Sequence, residues 1–353
     1  MTAPLTDQKL RILVVKLTSM GDTLHVLPAI SDLVENCPLV EIDWMIEDSF
    51  SDIPLFHPSV SRVIPVSTRR WRSLSLANLK EFYNFMKLLR TESYDIVIDA
   101  QGLIKSAGLA YLAKLKRNGK RIGFSADSIK ERPAARFYHF DIDIAKNLHA
   151  IDRLRQLFAY GFNYPVPTSK ANYSINVERP STQPADNPEL STIFFFPSTT
   201  WDSKHIPDSI WRELSDLALG QGYQIKISWG SPKEKIRAEQ IADQRSAITV
   251  LPKLALSELA SQLSSASGAI AVDTGLGHLA AGLGIATVSV YGATDAKLTG
   301  AIGDCSRLLQ TDYACSPCFL KQCDKLNQVQ TTPPCYATIS AARIWAALTE
   351  QII

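Results

Sequence analysis

Short apolar runs alternate along the chain with segments in which apolar side chains return every three or four positions. The runs predict buried strands, and the periodic segments predict amphipathic helices. In the first half, strands are predicted at 11–18, 41–47, 61–66, 94–100 and 121–124, and helices near 23–35, 76–92, 103–117 and 145–160. In the second half, strands are predicted at 192–198, 224–229, 248–251, 268–273 and 287–291, and helices near 208–220, 232–243, 256–265, 276–283 and 338–352.

The two halves are separated by residues 164–190, which contain five prolines and little periodicity beyond one short strand expected at 171–177. Apolar strands that alternate with helices are typical of parallel sheets covered on both faces. The fold class is therefore α/β, with two Rossmann-like, doubly wound domains that face a central cleft, where ligands bind at the strand carboxyl ends. The predicted division is a first domain at 1–165, a linker at 166–190, a second domain at 191–337 and a C-terminal helix at 338–353 that packs back on the first domain.

Composition narrows the class of protein. Hydrophobic residues make up 46% of the 353 and charged residues 20%, as in a globular protein with real cores. The N-terminal stretch "MTAPLTDQKL" lacks the layout of a signal peptide, and no apolar run is long enough to cross a bilayer, so a cytoplasmic location is expected.

The net charge of +2 is unevenly distributed. Residues 60–140 hold sixteen Lys and Arg against six acids, which gives +10 there and −8 in the remainder. Such a window indicates an anionic partner. The alternative, a set of solvated helix faces, suits "KLKRNGKR" at 114–121 better than "RRWR" at 69–72, where three guanidiniums surround an indole.

An acidic turn follows the first strand. In "KLTSMGDTLH", Asp22 stands just before the next helix. It could cap that helix near Thr23, or it could be a reactive group at the carboxyl end of a parallel strand. The stretch alone favours the cap.

A second polar junction, "VDTGLGHLAAGLG" at 272–284, fits the G-x-G-x-x-A dinucleotide pattern, with Asp295 further along. The short predicted helix and the late position in the second half count against NAD. The same glycines can expose backbone N–H groups to a phosphate at a helix N-terminus. Thr199, Thr200 and Lys204 could add donors for a diphosphate without a metal, since no Asp-x-Asp pair lies nearby. Glu234 could bind ribose hydroxyls or match the dipole of its helix.

Five of the six cysteines lie in the C-terminal third. Cys315, Cys318, Cys323 and Cys335 include one C-x-x-C pair, which points to a metal or to redox chemistry more than to structural disulfides. Four thiolates could close a tetrahedral site, and reduced buried thiols are the main alternative.

Six stretches resemble the lipopolysaccharide heptosyltransferases, most closely the type I branch, and occur in that family's order. They are "SMGDTLHVLPA", "RVIPVSTRRWR", "YDIVIDAQGLIKSA", "TTWDSKHIP", "WGSP.E" and "VDTGLGHLAA". The resemblance covers about residues 11–300 and implies the two-Rossmann-domain GT-B fold. It also implies an inverting glycosyltransferase with ADP-L-glycero-β-D-manno-heptose as donor and the Kdo region of Kdo-lipid A as acceptor.

Roles carry over onto matching positions. The resemblance implies that Asp22 is the general base, and a closed cleft could raise its basicity. It places Thr199, Thr200 and Lys204 on the donor phosphates, Glu234 on the ribose, and Asp273, Thr274, Gly275 and His278 along the sugar and diphosphate. In the N-terminal domain, where the charge window lies, it matches Arg69, Arg70 and Arg72 to the acceptor, with Lys105 and Arg132 as companions. No cofactor is required for catalysis, because Lys204 and helix amides would hold the leaving-group charge.

The cysteine loop departs from the type I pattern. Similar clusters occur in protein-directed branches of the family, where iron is associated with the loop. The cysteines could therefore hold a structural zinc or iron, and the acceptor could instead be a heptosylated core or an autotransporter protein. A non-catalytic nucleotide-sugar-binding protein is a further alternative. No nucleic-acid partner is expected, because the basic window has few exposed aromatics and no recognised motif. Peripheral contact with the inner membrane of a Gram-negative bacterium, at its cytoplasmic face, is expected from a lipid acceptor.

Overall fold

The computed structural model describes residues 9–73, 75–178, 191–326 and 332–352. The chain divides into two compact units, Met1–Asn176 and Val177–Ile353. Much of the Pro-rich segment, from 179 to 190, lies outside the described residues. Residues 171–178 have no regular secondary structure, so the short strand predicted at 171–177 was wrong.

The first unit contains six strands and six α-helices among its described residues. The strands are β1 (Leu10–Val15), β2 (Val40–Glu47), β3 (Val60–Val66), β4 (Tyr94–Asp99), β5 (Leu115–Phe124) and β6 (Phe140–Ile142). The helices are α1 (Met20–Leu24), α2 (Leu27–Asn36), α3 (Asp52–Leu55), α4 (Leu76–Leu89), α5 (Ile104–Leu112) and α6 (Ala150–Phe162). Short 3-10 turns occur at Asp48–Phe50, Arg70–Arg72 and Arg132–Phe137. The sheet order is β3-β2-β1-β4-β5-β6, and every pairing is parallel.

The second unit repeats this architecture. Its strands are β7 (Thr192–Phe196), β8 (Gln224–Ile227), β9 (Ile248–Val250), β10 (Gly268–Val272), β11 (Ala286–Tyr291) and β12 (Ser306–Gln310). Its helices are α7 (Asp208–Gly220), α8 (Pro232–Ala242), α9 (Leu256–Leu263), α10 (Gly275–Gly282), α11 (Ala296–Thr299) and α12 (Ala341–Thr349), with 3-10 turns at Asp202–Lys204 and Pro334–Thr338. The strand order is β12-β11-β10-β7-β8-β9, again parallel throughout.

Read from the opposite edge, the second sheet has the same order as the first, and both are the Rossmann order 3-2-1-4-5-6. The order reverses between β1 and β4 in the first unit and between β7 and β10 in the second. Loops that leave these strand pairs diverge and leave a crevice at the carboxyl ends, where such sheets bind ligands. The predicted fold class, two parallel α/β sheets of GT-B type, is confirmed.

Burial explains why these runs form central strands. Ile12 lies between Ile42 of β2 and Ile96 of β4, and every residue of β10 and β11 is buried. Strands that are covered on both faces carry apolar side chains at most positions, because neither face meets water. On one side of the first sheet, the Arg155 guanidinium of α6 makes two hydrogen bonds to the Asp32 carboxylate of α2, at 2.6 and 2.9 Å, and holds the two helices together.

One predicted helix was right in its first part and wrong in its last part. The helix expected at 103–117 ends at Leu112, and "KLKRNGKR" lies on β5 rather than on a helix face. At Gly119, a Cβ atom would come within 2.6 Å of the Tyr94 carbonyl oxygen, so this position needs glycine where β5 passes close to β4. The pairing of β4 with β5 shifts register there. β6 and β12, each at a sheet edge, were not predicted.

The C-terminal helix α12 packs against α7, β10, β11 and β12 of the second unit. Ile344, Trp345 and Leu348 are buried in that unit's core. This helix was predicted to pack back on the N-terminal domain; in the structure, its apolar face completes the cover of the second sheet. Among the described helices, none is both long and apolar enough to cross a membrane.

Candidate active site

The loops after β1 and β4 are joined by two side chains. Lys16 is buried, and its Nζ donates to the Ala100 carbonyl oxygen at 3.1 Å. The Gln101 side-chain oxygen accepts from the backbone N–H groups of Leu17 and Thr18, at 3.0 and 3.3 Å. Neither Lys16 nor Gln101 was predicted, although a lysine at the end of an apolar run was a usable signal. Together they fix the backbone at the first crevice.

Asp22 follows directly. It is the third residue of α1, and Ser19 is the N-cap. The Asp22 carboxylate accepts from the Ser19 backbone N–H at 3.1 Å and from the Ser19 hydroxyl at 2.9 Å. The helix thus begins at Met20 instead of near Thr23, and Asp22 is the partner of the cap rather than the cap itself.

The charges around Asp22 are positive. Burial pushes the pKa of Asp22 up, but the charge of Lys16, two hydrogen bonds from Ser19 and the charge of Lys130 outweigh it, so the pKa lies below its ordinary value. Burial lowers the pKa of Lys16, while Asp22 and Asp99 oppose that shift. The site holds an ionised carboxylate beside a buried amine.

Asp99, at the end of β4, is a buried residue that supports this loop and was not predicted as a site residue. Its carboxylate accepts from the hydroxyls of Tyr138 and Ser106, at 2.7 and 2.9 Å, and from the backbone N–H groups of Gln101 and Gly102. Burial raises its pKa despite these donors. Asp99 therefore anchors the loop that carries Gln101 and the start of α5.

The basic residues of the turn after β3 lie in different environments. Arg69 and Arg72 are exposed, and their side chains have no partner among the described residues. Arg70 is paired with Glu81 at 2.6 Å and with Asp48 at 3.4 Å. The indole of Trp71 packs on Phe82 and Phe85, with ring centroids 5.3 and 4.9 Å apart. The three guanidiniums therefore do not surround the indole, since Trp71 faces the core.

Two further basic residues lie on adjoining segments. Lys105 of α5 donates to the Thr68 hydroxyl at 2.9 Å, and Thr68 in turn donates to Glu47 at 2.8 Å. This links Lys105 to the turn that carries Arg69. Arg132 is exposed and pairs only loosely with the exposed Asp127, at 3.2 Å. Its turn is tied to α5 by the hydrogen bond from the Ile104 backbone N–H to Glu131, at 2.7 Å.

In the second unit, Asp273 is the centre of a polar cluster at the crevice between β7 and β10. Its carboxylate lies 2.6 Å from Lys204 Nζ, accepts from the Thr294 hydroxyl, and lies 4.0 Å from His278 Nε2. Its backbone carbonyl accepts from the Thr199 hydroxyl at 3.0 Å. Four of the predicted donor residues are thus brought together. Thr294, which follows β11, was not predicted.

Local structure supports this cluster. Lys204 Nζ also lies 4.4 Å from the ring centre of Trp201. Thr274 is the N-cap of α10, and Gly275 is its first residue. A Cβ at Gly277 would come within 2.9 Å of the Ala271 Cβ, so this glycine lets α10 pack closely on β10. The helix spans only Gly275–Gly282 and follows the fourth strand of the unit, which matches the reasons for setting the dinucleotide pattern aside.

The remaining two donor candidates lie differently. Thr200 is exposed next to Thr199. Glu234 accepts from the backbone N–H groups of Gly230 and Ser231, at 2.6 and 3.1 Å, and closes the capping box of α8. In this structure Glu234 serves its own helix, as the dipole alternative expected, and it does so through capping hydrogen bonds.

Four cysteines line one pocket. Cys315, Cys318, Cys323 and Cys335 border it, together with Ser203, Gly292 and Asp324. Burial, with the neighbouring Cys315, raises the pKa of Cys335 to about 11, so this group is a thiol near neutral pH. A thiolate set suits zinc or iron. However, the part of the chain that the structure describes contains no group of three or more His, Cys, Asp or Glu arranged to hold a metal ion. The metal stays a prediction.

The cysteine segment also holds the Lys204 loop. The backbone N–H of Ser203 donates to the Lys321 carbonyl oxygen at 3.2 Å, and its hydroxyl donates to that of Leu320. The Tyr336 hydroxyl donates to the Ser203 carbonyl oxygen at 3.1 Å. All three groups of Ser203 are therefore satisfied by this segment.

Known proteins resemble this chain over most of its length. The model of glycosyltransferase family 9 (heptosyltransferase) matches residues 82–328. Lipopolysaccharide heptosyltransferase 1 of Pseudomonas aeruginosa is 38% identical, over 98% of this chain and 98% of its own length. The structure of the E. coli heptosyltransferase WaaC with ADP matches at a TM-score of 0.82 and 35% identity, covering 97% of this chain and 99% of that one. Its structure with ADP-2-deoxy-2-fluoro heptose matches at 0.80 and 35% identity, over 96% and 99%.

Proposed function

Because the chain belongs to glycosyltransferase family 9, the heptosyltransferases, we propose an acceptor and a role for each residue of the two crevices. The chain is a lipopolysaccharide heptosyltransferase I, which transfers heptose from ADP-heptose in inner-core synthesis. The proposed donor is ADP-L-glycero-β-D-manno-heptose, and the proposed acceptor is the Kdo region of Kdo-lipid A.

The donor site is proposed at the crevice of the second unit. The observation that carries this assignment is the cluster of Lys204, Asp273, Thr199 and His278 where the strand order reverses. Lys204 would exchange part of its contact with Asp273 for the diphosphate, and the N-terminus of α10 at Thr274 and Gly275 would add backbone N–H groups. Thr200 is proposed as a further phosphate donor, and Glu234 as the ribose ligand if it leaves its capping position.

The acceptor site is proposed on the first unit. Arg69 and Arg72 are exposed, so they can bind carboxylates or phosphates in bidentate fashion without breaking an existing ion pair. Lys105 and Arg132 lie on segments joined to this turn through Thr68 and α5. Arg70 would have to give up Glu81 to bind the acceptor, so its proposed role is to hold the turn in place.

Asp22 is proposed as the general base. Its carboxylate would take the proton of the acceptor hydroxyl as that oxygen bonds to the anomeric carbon and the bond to ADP breaks. Attack opposite the leaving group inverts the anomeric centre, and Lys204 offsets the charge that develops on the diphosphate. The lowered pKa supports this role to the extent that it keeps Asp22 ionised and able to accept a proton at neutral pH.

We further propose that the enzyme acts at the cytoplasmic face of the inner membrane, because a lipid-anchored acceptor must be reached there. The cysteine pocket is proposed to bind structural zinc or iron with no part in the transfer chemistry.

The test is ADP release from ADP-heptose with deacylated Kdo-lipid A. A blank without acceptor and an Asp22→Ala variant are the controls. Release that requires both the acceptor and Asp22 is the expected result. Donor binding by calorimetry without release would contradict the proposed acceptor, and a heptosylated core or an autotransporter protein would then be tested. If the protein neither binds the donor nor releases ADP, that result contradicts the proposed donor site.

A further inference from the structure

Helix α4 has two contrasting faces. Phe85 and Leu89 face inward and are 4% and 0% exposed, and both belong to the core cluster on the first sheet. On the opposite face, Leu76, Leu79 and Tyr83 are 87%, 55% and 68% exposed. Large apolar side chains that return at helical spacing on the outer side of a packed helix need an explanation, because single exposed leucines are common but a row is not.

The outer row is also basic. Positions 76, 80, 83, 87 and 90 follow one another at intervals of three or four residues and therefore share one side of the helix. We call the side chains on this side the α4 stripe, which consists of Leu76, Leu79, Lys80, Tyr83, Lys87 and Arg90. Each of them is exposed. The one acid in α4, Glu81, lies off the stripe and is paired with Arg70.

The turn of the proposed acceptor site is fixed to the same helix, by side chains on the inward side of α4. The 3-10 turn Arg70–Arg72 is pinned to α4 by Trp71, which packs on Phe82 and Phe85. The Asn78 side chain donates to the Arg70 carbonyl oxygen at 2.8 Å. Arg69 and Arg72 therefore lie on a turn fixed to the same helix, and the local charge on these two elements is strongly positive.

We propose that the α4 stripe docks on an anionic membrane surface, with Leu76, Leu79 and Tyr83 inserted among the lipid head groups. This rests on the proposed function, since the lipid-anchored acceptor would then be held beside Arg69 and Arg72. Apolar residues interleaved with Lys and Arg are the pattern of helices that lie in the membrane interface. A second copy of the chain is a poorer occupant, because three positive charges on each stripe would face one another.

The first test is sedimentation of the full-length protein with vesicles. One set contains phosphatidylglycerol and phosphatidylethanolamine, and the other contains phosphatidylcholine alone. The variants are Leu76→Ser/Leu79→Ser/Tyr83→Ser and Lys80→Gln/Lys87→Gln. The matched control is Ile236→Ser, on the exposed face of α8, where the wild-type side chain is 57% exposed. Circular dichroism checks that each variant is folded.

We expect salt-sensitive binding to the anionic vesicles only. Loss of the three apolar side chains should lower the partition coefficient by at least about tenfold, and each removed charge by about fivefold. The Ile236→Ser control should bind like the wild type. Equal binding of the stripe variants and the wild type would overturn the proposal. So would a concentration-dependent dimer, seen by light scattering, that the variants abolish while vesicle binding is absent.

The second test separates docking from catalysis. With deacylated acceptor in solution, the apolar variant should turn over at the wild-type rate. With Kdo-lipid A embedded in vesicles, its rate should fall about fivefold or more. An equal loss on both acceptors would overturn the docking role. If even the wild type uses neither acceptor, the proposed acceptor is contradicted. The vesicle-binding test of the α4 stripe still stands in that case.

Discussion

Replacing Asp22 by Asn separates its two roles, as partner of the helix cap and as proposed base. An amide oxygen can still accept from the Ser19 N–H, which lies 3.1 Å from the carboxylate, but an amide cannot take a proton from an acceptor hydroxyl. Positioned general bases contribute about 10²- to 10⁴-fold, so kcat should fall by that factor. That loss corresponds to about 3–5 kcal/mol in the activation barrier.

The matched variant is Ser19→Ala, which removes the 2.9 Å hydroxyl contact and leaves the carboxylate in place. It should cost about 1 kcal/mol of folding stability, as lost caps do, and keep kcat within about tenfold. Asp22→Asn should leave the stability within about 0.5 kcal/mol, because the cap acceptor survives. Urea unfolding and initial rates of ADP release measure both quantities on the same samples.

The pH profile adds a separate check. Lys16, Ser19 and Lys130 together hold the pKa of Asp22 below its ordinary value, despite burial. The acid limb of kcat/KM should therefore lie below the usual aspartate range of about 3.9. If Asp22→Asn retained kcat within tenfold of the wild type, or if both variants lost the same factor, Asp22 would act only through the helix.

Four further predictions concern Lys204, His57, Tyr336 and Cys335. Lys204→Ala should raise the KM for ADP-heptose and lower kcat/KM by about 10- to 100-fold, which is the value of one charge-assisted contact. Lys204→Arg should recover part of the lost kcat/KM. An unchanged KM for the donor would contradict the phosphate role. His57 has its pKa lowered to about 4 by burial. The neutral His57 ring should contribute its full stability to the fold above about pH 6.5, and the free energy of unfolding should fall by about 2–3 kcal/mol as the pH falls towards 4. Urea unfolding of a His57→Gln variant checks this. A variant whose stability falls as steeply with pH as that of the wild type would contradict the prediction. Tyr336→Phe should raise the KM for the donor more than it lowers kcat, because the Tyr336 hydroxyl holds the Ser203 carbonyl beside Lys204. Equal unfolding midpoints for the variant and the wild type would exclude a general loss of stability. Elemental analysis of the purified protein should find about one zinc or iron per chain, and Cys335→Ser should abolish it; a metal-free, fully active protein would contradict the structural metal.

Much of the fold could be predicted from periodicity. β1, β2, β4, β7, β10 and β11 are mainly apolar because both of their faces are covered, and the predicted runs lie within a few residues of the observed strands. The edge strands β6 and β12 were missed, because half-exposed strands carry mixed side chains. The basic half of β5 was taken for a helix face, since charge is no guide to whether exposed backbone is helical or extended.

The candidate site, like the fold, was predicted only in part. The motifs alone pointed to Asp22, Lys204, Asp273 and His278, because glycines and charged groups at strand ends are conspicuous in a sequence. They could not reveal that Thr294 completes the Asp273 cluster, or that Lys16 and Gln101 brace the first crevice, because these contacts join strands far apart in the chain. They also suggested that three arginines surround Trp71, whereas packing turned the indole into the core and left Arg69 and Arg72 in solvent.

The sequence by itself determined that the protein has two Rossmann-like halves, an uneven charge and the motifs of a heptosyltransferase. These properties depend on local patterns: a run of apolar residues, a charge count, and a glycine turn after a strand. Only the tertiary structure decided which charges are already paired, which pKa values shift and in what direction, and where the last helix packs. Those outcomes depend on distance and burial, which are set by residues brought together from remote parts of the chain.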